Sequence, residues 1–494
     1  MITAVKDLFR RLDRHRGFRA LALGAVRAMN WLSFRILGRQ PAVAQVYVKG
    51  SFVRGPFYPL SSDLDLALIL RSAALVDPVP DLRRFFDAFR LVRRTNLSVR
   101  DWWQHVFLDD EMEIVRRYWY LAGCDEWRDE RGEPPSLTQR PADSGLLALA
   151  HWYQQCAWSA SAVQKHVDPA APFHQFRAGI KKTAFLATRL PVLARCGAPS
   201  PRELFALRRE HSRRFDDGWR SGRDAGSRSA LSDLLFQVRD LESNGRLLLE
   251  SGLADGAGTG EREATSDLDP PWPVELEPLR RLSGCSGLVR SEQSLHLILR
   301  DGASDEEIAA ILLELRQIGA GRRPLTYLVP ARALPIWPMA CTRERLVVWK
   351  SRLAPAAARG PATESGFQRR LLLFESIFLP STLRLALSFA DRDARLLRHV
   401  WTLARAVLLY EQGRYRATRD RVAADLLDAP ATAPAPPAEL RRVLTQDDEG
   451  AAKLGTETLF RAGSALATRL YAALASDPDA TPEPSRPAIE VPVG

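Results

Sequence analysis

Apolar and polar positions change their period several times along the 494-residue chain, and the changes mark element boundaries. Between residues 42 and 120, short runs rich in β-branched and aromatic residues (43–48, 63–70, 97–108 and 112–120) read as strands. One helix interrupts them over 81–94, where Leu82, Phe85, Phe86 and Phe89 recur at i, i+3, i+4 and i+7. Residues 145–252 keep helical spacing throughout. Within them Ser200 reads as an N-cap, with Pro201 in the first helical position and Glu203 closing a capping box. Residues 295–299, 304–318 and 325–329 read strand–helix–strand, the helix again opened by a box, Ser304 with Glu307. Helical spacing returns over 368–427 and 440–474. At the N-terminus, residues 6–37 read as one or two basic amphipathic helices.

Breaks rich in small and turn-forming residues separate these segments at 132–144, 254–271 and 428–437. The second, ADGAGTGEREATSDLDPP, has the composition of a flexible linker, and the Pro-rich tail cannot bury a core. The expected organisation is N-terminal basic helices (1–40), an α/β domain (41–131), a helical domain (145–252), the linker (254–271), a small α/β unit (272–352), a C-terminal helical region (366–475) and a tail (476–494). The fold class is α/β plus α. No repeat of fixed period is visible along the chain.

Composition narrows the function classes. With 46% hydrophobic and 26% charged residues the chain is neither disordered nor collagen-like. It lacks the run of about 18 apolar residues that a membrane span needs, and no cleavage site follows 20–29, so a cytoplasmic protein is expected. Cys124, Cys156, Cys196, Cys285 and Cys341 are odd in number and form no C-x-x-C pair, which argues against a zinc site or a disulfide framework. The balance of 70 basic to 59 acidic residues, a formal +11, favours polyanionic partners. Lysine supplies only seven of the basic residues (Lys6, Lys49, Lys165, Lys181, Lys182, Lys350 and Lys453), which makes each Lys more informative than each Arg.

One segment carries chemistry: VYVKGSFVRGPFYPLSSDLDLALIL, residues 46–70. An apolar run ends at Lys49, Gly50-Ser51 follows, a loop holds Arg54 and Gly55, and Ser62-Asp63-Leu64-Asp65 enters a second run. Gly50 permits a tight turn whose N–H groups can cradle a phosphate, and the Ser51 hydroxyl can donate to a phosphate oxygen. Residues two apart on a strand share a face, so Asp63 and Asp65 aim their carboxylates at one place. Such a pair repels unless a cation lies between, and hard oxygen donors suit Mg²⁺.

The order strand, G-S, loop, S-D-x-D, strand resembles the signature of the DNA polymerase β-like nucleotidyltransferase superfamily. The R-G in the loop is similar to its minimal and aminoglycoside-nucleotidyltransferase-like branch. The resemblance covers roughly residues 42–120 and implies a palm domain followed by a helical domain, with two Mg²⁺ ions (or Mn²⁺). It implies that Gly50, Ser51, Arg54 and Ser62 contact a nucleoside triphosphate, ATP by family frequency. It further implies that Asp63 and Asp65 hold the metals with a third carboxylate from a later strand. Asp101, in a run of β-branched and aromatic residues, is the choice for third ligand and general base, and Glu113 is the alternative. Lys181 or its neighbour Lys182, on a helix after the catalytic module, is placed to meet the triphosphate. Trp102, Trp103, Tyr118, Trp119 and Tyr120 could stack on a base, although core packing is their commoner use. The stretch 202–228, with eight Arg against five acids, reads as surface ion pairs.

The expected activity is therefore transfer of a nucleoside monophosphate to a small-molecule or protein acceptor with release of pyrophosphate. Nucleic acid is a less favoured acceptor. The alternative is a catalytically degenerate relative that senses nucleotide or RNA.

Overall fold

The apolar alternation after residue 42 forms β1 (Val43–Lys49), which runs antiparallel to β2 (Asp65–Leu70) with Lys49 paired to Asp65 and Tyr47 to Ala67. The computed structural model describes residues 15–55, 64–95, 105–137, 144–168, 200–220, 227–250, 277–290, 294–318, 325–336, 347–348, 365–412, 419–428 and 437–476, with 179–180, 182–184, 186–187 and 190–191. It is a mixed α/β structure, mostly helical, with two small sheets.

Ahead of β1 lies α1 (Arg16–Gly38), and between β1 and β2 the short α2 (Ser51–Arg54). After β2 the chain crosses through α3 (Pro78–Thr95) to β3 (His105–Leu108), which is parallel to β2 with Ala67 opposite His105. The apolar stripe of α3 is buried as its spacing required: Leu82, Phe85, Phe86 and Phe89 join the core that also holds Leu66 and Leu68.

Two expected strands changed. The run 97–108 is strand only from His105, residues 96–104 lying outside the described ones. Residues 112–120 are not a strand but helix, α4 (Met112–Arg117) and α5 (Trp119–Ala122). Met112, Val115, Trp119 and Ala122 are spaced i, i+3, i+7 and i+10 and all are buried, while Glu113 and Arg116 face out. The period is helical, and it outweighs the strand preference of the aromatic and β-branched residues. Tyr118 and Trp119 are thereby buried as packing residues. At the far edge of the sheet, Arg128 exchanges backbone hydrogen bonds with Val48 at 2.8 and 2.9 Å.

Next come α6 (Ser144–Val167), α7 (Pro201–Arg220) and α8 (Ser227–Glu250). The Ser200 box is present: its amide and hydroxyl each lie 2.8 Å from a Glu203 carboxylate oxygen. The second sheet is built from β4 (Cys285–Arg290), β5 (Ser294–Leu299), then α9 (Asp305–Gln317), β6 (Leu325–Pro330) and β7 (Val347–Val348). Its order is β6-β5-β4-β7, with β4 antiparallel to β5 and β6 parallel to it. The Ser304–Glu307 box opens α9 as expected, whereas β4 and β7 extend the strand–helix–strand reading. Both sheets thus share the path antiparallel hairpin, helix, parallel strand. The α6 helix links them. Its first half (Ala148, Trp152, Cys156) joins the first core, and its end (Ala162, Val163, Val167) joins the core of the second sheet.

The C-terminal helices are α10 (Ser365–Ala386), α11 (Arg392–Gln412), α12 (Arg419–Leu427), α13 (Ala438–Leu444) and α14 (Gly455–Ala475). They do not stand apart from the first sheet. Val106 on the edge strand β3 donates its N–H to Ser381 Oγ at 2.8 Å, and its carbonyl accepts from Arg384 Nη1 at 2.9 Å. Arg384 also grips Glu111 with two nitrogens, and both residues are buried.

Arg384→Met should destabilise the protein by about 3–5 kcal/mol, because it strands the Glu111 charge in the interior. The double variant Glu111→Gln/Arg384→Met should lose less than the sum of its single changes. Urea unfolding midpoints measure both, and a single-variant loss under about 1 kcal/mol would contradict this bracing.

Candidate active site

The G-S element folds as the backbone demands. Gly50 has φ +72° and ψ −143°, a conformation that residues with a Cβ rarely adopt, and it turns the chain from β1 into the single turn α2. Space gives a second reason for glycine. A Cβ at position 50 would lie 2.6 Å from Asp65 Oδ2. The Asp65 carboxylate therefore rests against the Gly50 backbone at the mouth of the β1–β2 pair, with half-buried Ser51 next in the chain.

Cation after cation faces this mouth. Lys49 pairs across the strands with Asp65. Burial drives the Lys49 ammonium down to about 8, with Asp65 and then Glu126 acting in the opposite direction. Lys182, from the helical turns around 179–191, is likewise lowered to about 8 by burial. Asp65 raises it, while Lys49, Lys165 and Arg54 lower it. Its Nζ lies 3.6 Å from the centroid of the Trp158 ring, so α6 holds it by a cation–π contact. Two of the chain's seven lysines, Lys49 and Lys182, thus lie within electrostatic reach of Asp65. On the same strand face His105 stacks on Phe378 at 4.5 Å. Burial, and then Lys49, push its pKa well below the usual histidine value, so it is a neutral imidazole.

Arg54 is anchored rather than free. Its Nη1 donates to both Glu126 oxygens, at 2.9 and 2.7 Å. Arg208 from α7 reaches the same carboxylate at 2.5 Å and lies 2.9 Å from Asp125 Oδ2. Burial would raise the Glu126 pKa, but the two guanidiniums outweigh it and hold the carboxyl well below its ordinary range. One arginine of the 202–228 stretch is thus buried, not a surface ion pair.

Of the residues singled out in the sequence, Gly50, Ser51, Arg54 and Asp65 come together here. Ser62, Asp63, Asp101 and Lys181 lie outside the described residues, as do Trp102 and Trp103. Glu113 is not brought in. It is exposed on α4, beyond the end of β3 opposite to His105, whereas Asp65 begins the neighbouring parallel strand. Sequence reading missed Lys49, Glu126 and Arg208. Lys49 carried a signal, a rare lysine directly before Gly50-Ser51; the others carried none. Among the described residues no group of three His, Cys, Asp or Glu side chains is gathered for a metal. The one described carboxylate of the implied set, Asp65, is a hard oxygen donor beside backbone that glycine leaves open, and this fits Mg²⁺.

Compared with protein-family models, with curated proteins and with solved structures, the chain matches none at a significant level.

Two outcomes follow from this geometry. Gly50→Ala should cost about 1–2 kcal/mol from the left-handed backbone alone, read as a lower urea midpoint, with the displaced Asp65 adding to it. The folded-state pKa of Glu126 lies below its unfolded value, so its contribution is full above about pH 4.5 and is lost as pH falls further. The stability gap between the parent protein and Glu126→Gln should therefore narrow from pH 5 towards pH 3 in denaturant titrations. A constant gap would contradict the pairing.

Proposed function

We propose that this protein is a Mg²⁺-dependent nucleotidyltransferase with a polymerase β-like palm in its first sheet. It transfers a nucleoside monophosphate, AMP from ATP, to a small-molecule or protein acceptor and releases pyrophosphate. The observation that carries this reading is the approach of the Asp65 carboxylate to Gly50 at the head of a β1–turn–β2 hairpin, with Lys49 and Lys182 beside it. The β1–β2 register, with Lys49 opposite Asp65, sets this approach, and a triphosphate-binding turn beside a metal-binding carboxylate requires it.

In this proposal Ser51 donates to a phosphate oxygen, and the tight turn at Gly50 directs backbone N–H groups towards the phosphate. Lys182 and Lys49 offset the charge of the triphosphate and of the pyrophosphate as it leaves. Arg54, held by Glu126, fixes the turn that presents Ser51. Asp63, Asp65 and Asp101 would hold the metal, and Asp101 takes the proton of the attacking hydroxyl or amine. Bound Mg²⁺ supplies charge neutralisation at the reacting phosphate. His105, neutral and stacked under Phe378, packs beneath the site instead of carrying a proton.

A second reading has one observation in its favour. Lys49 is a built-in cation across from Asp65, and a lysine in that place can balance the carboxylate without metal, as in a degenerate nucleotide or RNA sensor. Incubation with labelled NTPs, Mg²⁺ and candidate acceptors separates the two. The enzyme releases pyrophosphate and labels a product, and Asp65→Asn lowers the rate at least about 100-fold. Nucleotide binding with no turnover of any NTP would establish the sensor instead.

A further inference from the structure

The outer face of α1 carries more apolar surface than a helix that only packs on its own protein needs. At about 100° per residue its buried side is Ala22, Val26, Asn30, Ser33 and Leu37, flanked by Phe34 and Ile36 partly buried against the core. The opposite side carries large apolar residues as well. Leu21 is 75% exposed, Trp31 60% and Leu32 42%, with Ala25 and Ala28 exposed between them. These residues form one stripe roughly 16 Å long. The charge on this helix has a single sign. Residues 16–38 contain Arg16, Arg19, Arg27 and Arg35 and no acidic residue, and Arg27 and Arg35 are exposed on the same outer side. The Arg35 guanidinium lies 5.3 Å from the Trp31 ring centroid, a pair with one apolar and one cationic end.

We propose that the outer face of α1 is a docking surface for anionic lipid: it lies on a negatively charged bilayer with Leu21, Trp31 and Leu32 in the headgroup–acyl boundary and Arg27 and Arg35 on lipid phosphates. Charge complementarity selects this occupant. A second copy would bring two acid-free arginine faces together, which is repulsive. Nucleic acid would satisfy the arginines but leave the leucines in water. An interface that is anionic above and apolar below satisfies both, and tryptophan favours that depth. Binding would be peripheral, since no helix among the described residues is long and apolar enough to cross a membrane. The proposal is independent of the catalytic reading, because none of these residues belongs to the site around Asp65.

The test is cosedimentation of the full chain with vesicles of phosphatidylcholine alone or with roughly one-third phosphatidylglycerol, at low salt and at about 0.5 M salt. The chain should bind the anionic vesicles, ignore the neutral ones and weaken at high salt. Leu21→Gln/Trp31→Gln/Leu32→Gln alters only exposed side chains, so it should keep the parent's unfolding midpoint while partitioning at least about tenfold less. Arg27→Glu/Arg35→Glu should remove the preference for anionic lipid. Failure of the parent chain to bind anionic vesicles would overturn the proposal, as would unchanged binding by the triple variant. So would a parent dimer that the triple variant converts to monomer without any vesicle binding. Displacement of the chain from vesicles by a single-stranded RNA that the triple variant binds equally well would assign the face to nucleic acid.

Discussion

The edge strand β3 is the constraint on which the rest depends. Among the described residues it has a strand neighbour on one side only, and it presents Val106's N–H and C=O on the other. Unpaired backbone groups in an interior cost several kcal/mol. Ser381 and Arg384 of α10 pair these two groups of Val106, and Glu111 neutralises the arginine that this brings inside. Phe378, one turn earlier on α10, covers His105 and Phe107 on the strand face that also carries Asp65. The C-terminal helices are therefore part of the wall behind the candidate site. The buried Glu111–Arg384 pair joins segments that lie on either side of the break before residue 366.

The same logic governs the charges. Arg54 belongs to the motif loop, yet its partner Glu126 is 72 residues away, and Arg208, which shares that carboxylate, is 82 residues beyond Glu126. Buried Glu126 and Arg208 and half-buried Arg54 tolerate their surroundings only together, so α7 is bound to the turn that carries Ser51. Lysine is used differently. Arginine forks hold carboxylates in fixed geometry, whereas the compact ammoniums of Lys49 and Lys182 stand within electrostatic reach of Asp65. In a chain so poor in lysine, that division of labour separates scaffold from candidate binding surface.

Local signals were legible in the sequence. The capping boxes at Ser200 and Ser304, the apolar stripe of α3 and the glycine before Ser51 each depend on neighbours within a few residues, and each folded as read. Long-range partners were not legible, because a lone Glu126 or Ser381 looks the same whether or not an arginine or an amide waits across the fold. The misreading of 112–120 had a different cause. Aromatic and β-branched content indicated strand while the burial period indicated helix, and period prevailed because the buried side of α4 and α5 must meet the core. Of the adjacent Lys181 and Lys182, sequence alone could not say which faces Asp65, since that depends on helical phase. Lys182 lies within electrostatic reach of Asp65, and Lys181 is outside the described residues.

The second sheet shows why such a site has to be argued from residues and not from topology. It repeats the path of the first: antiparallel hairpin, helix, parallel strand. Yet β4 and β5 are joined by three residues where β1 and β2 are joined by fifteen. A three-residue hairpin has no length for a phosphate-cradling turn followed by a returning loop. Its strand β5, Ser-Leu-His-Leu-Ile-Leu, is buried from Leu295 to Leu299 and offers no carboxylate. Both sheets bury apolar residues around a crossover helix, and that shared requirement is enough to produce the same path twice. The difference lies in the connection: fifteen residues in the first sheet carry Gly50, Ser51 and Asp63 up to Asp65. The motif residues of the candidate site therefore belong to that connection and the strand it enters.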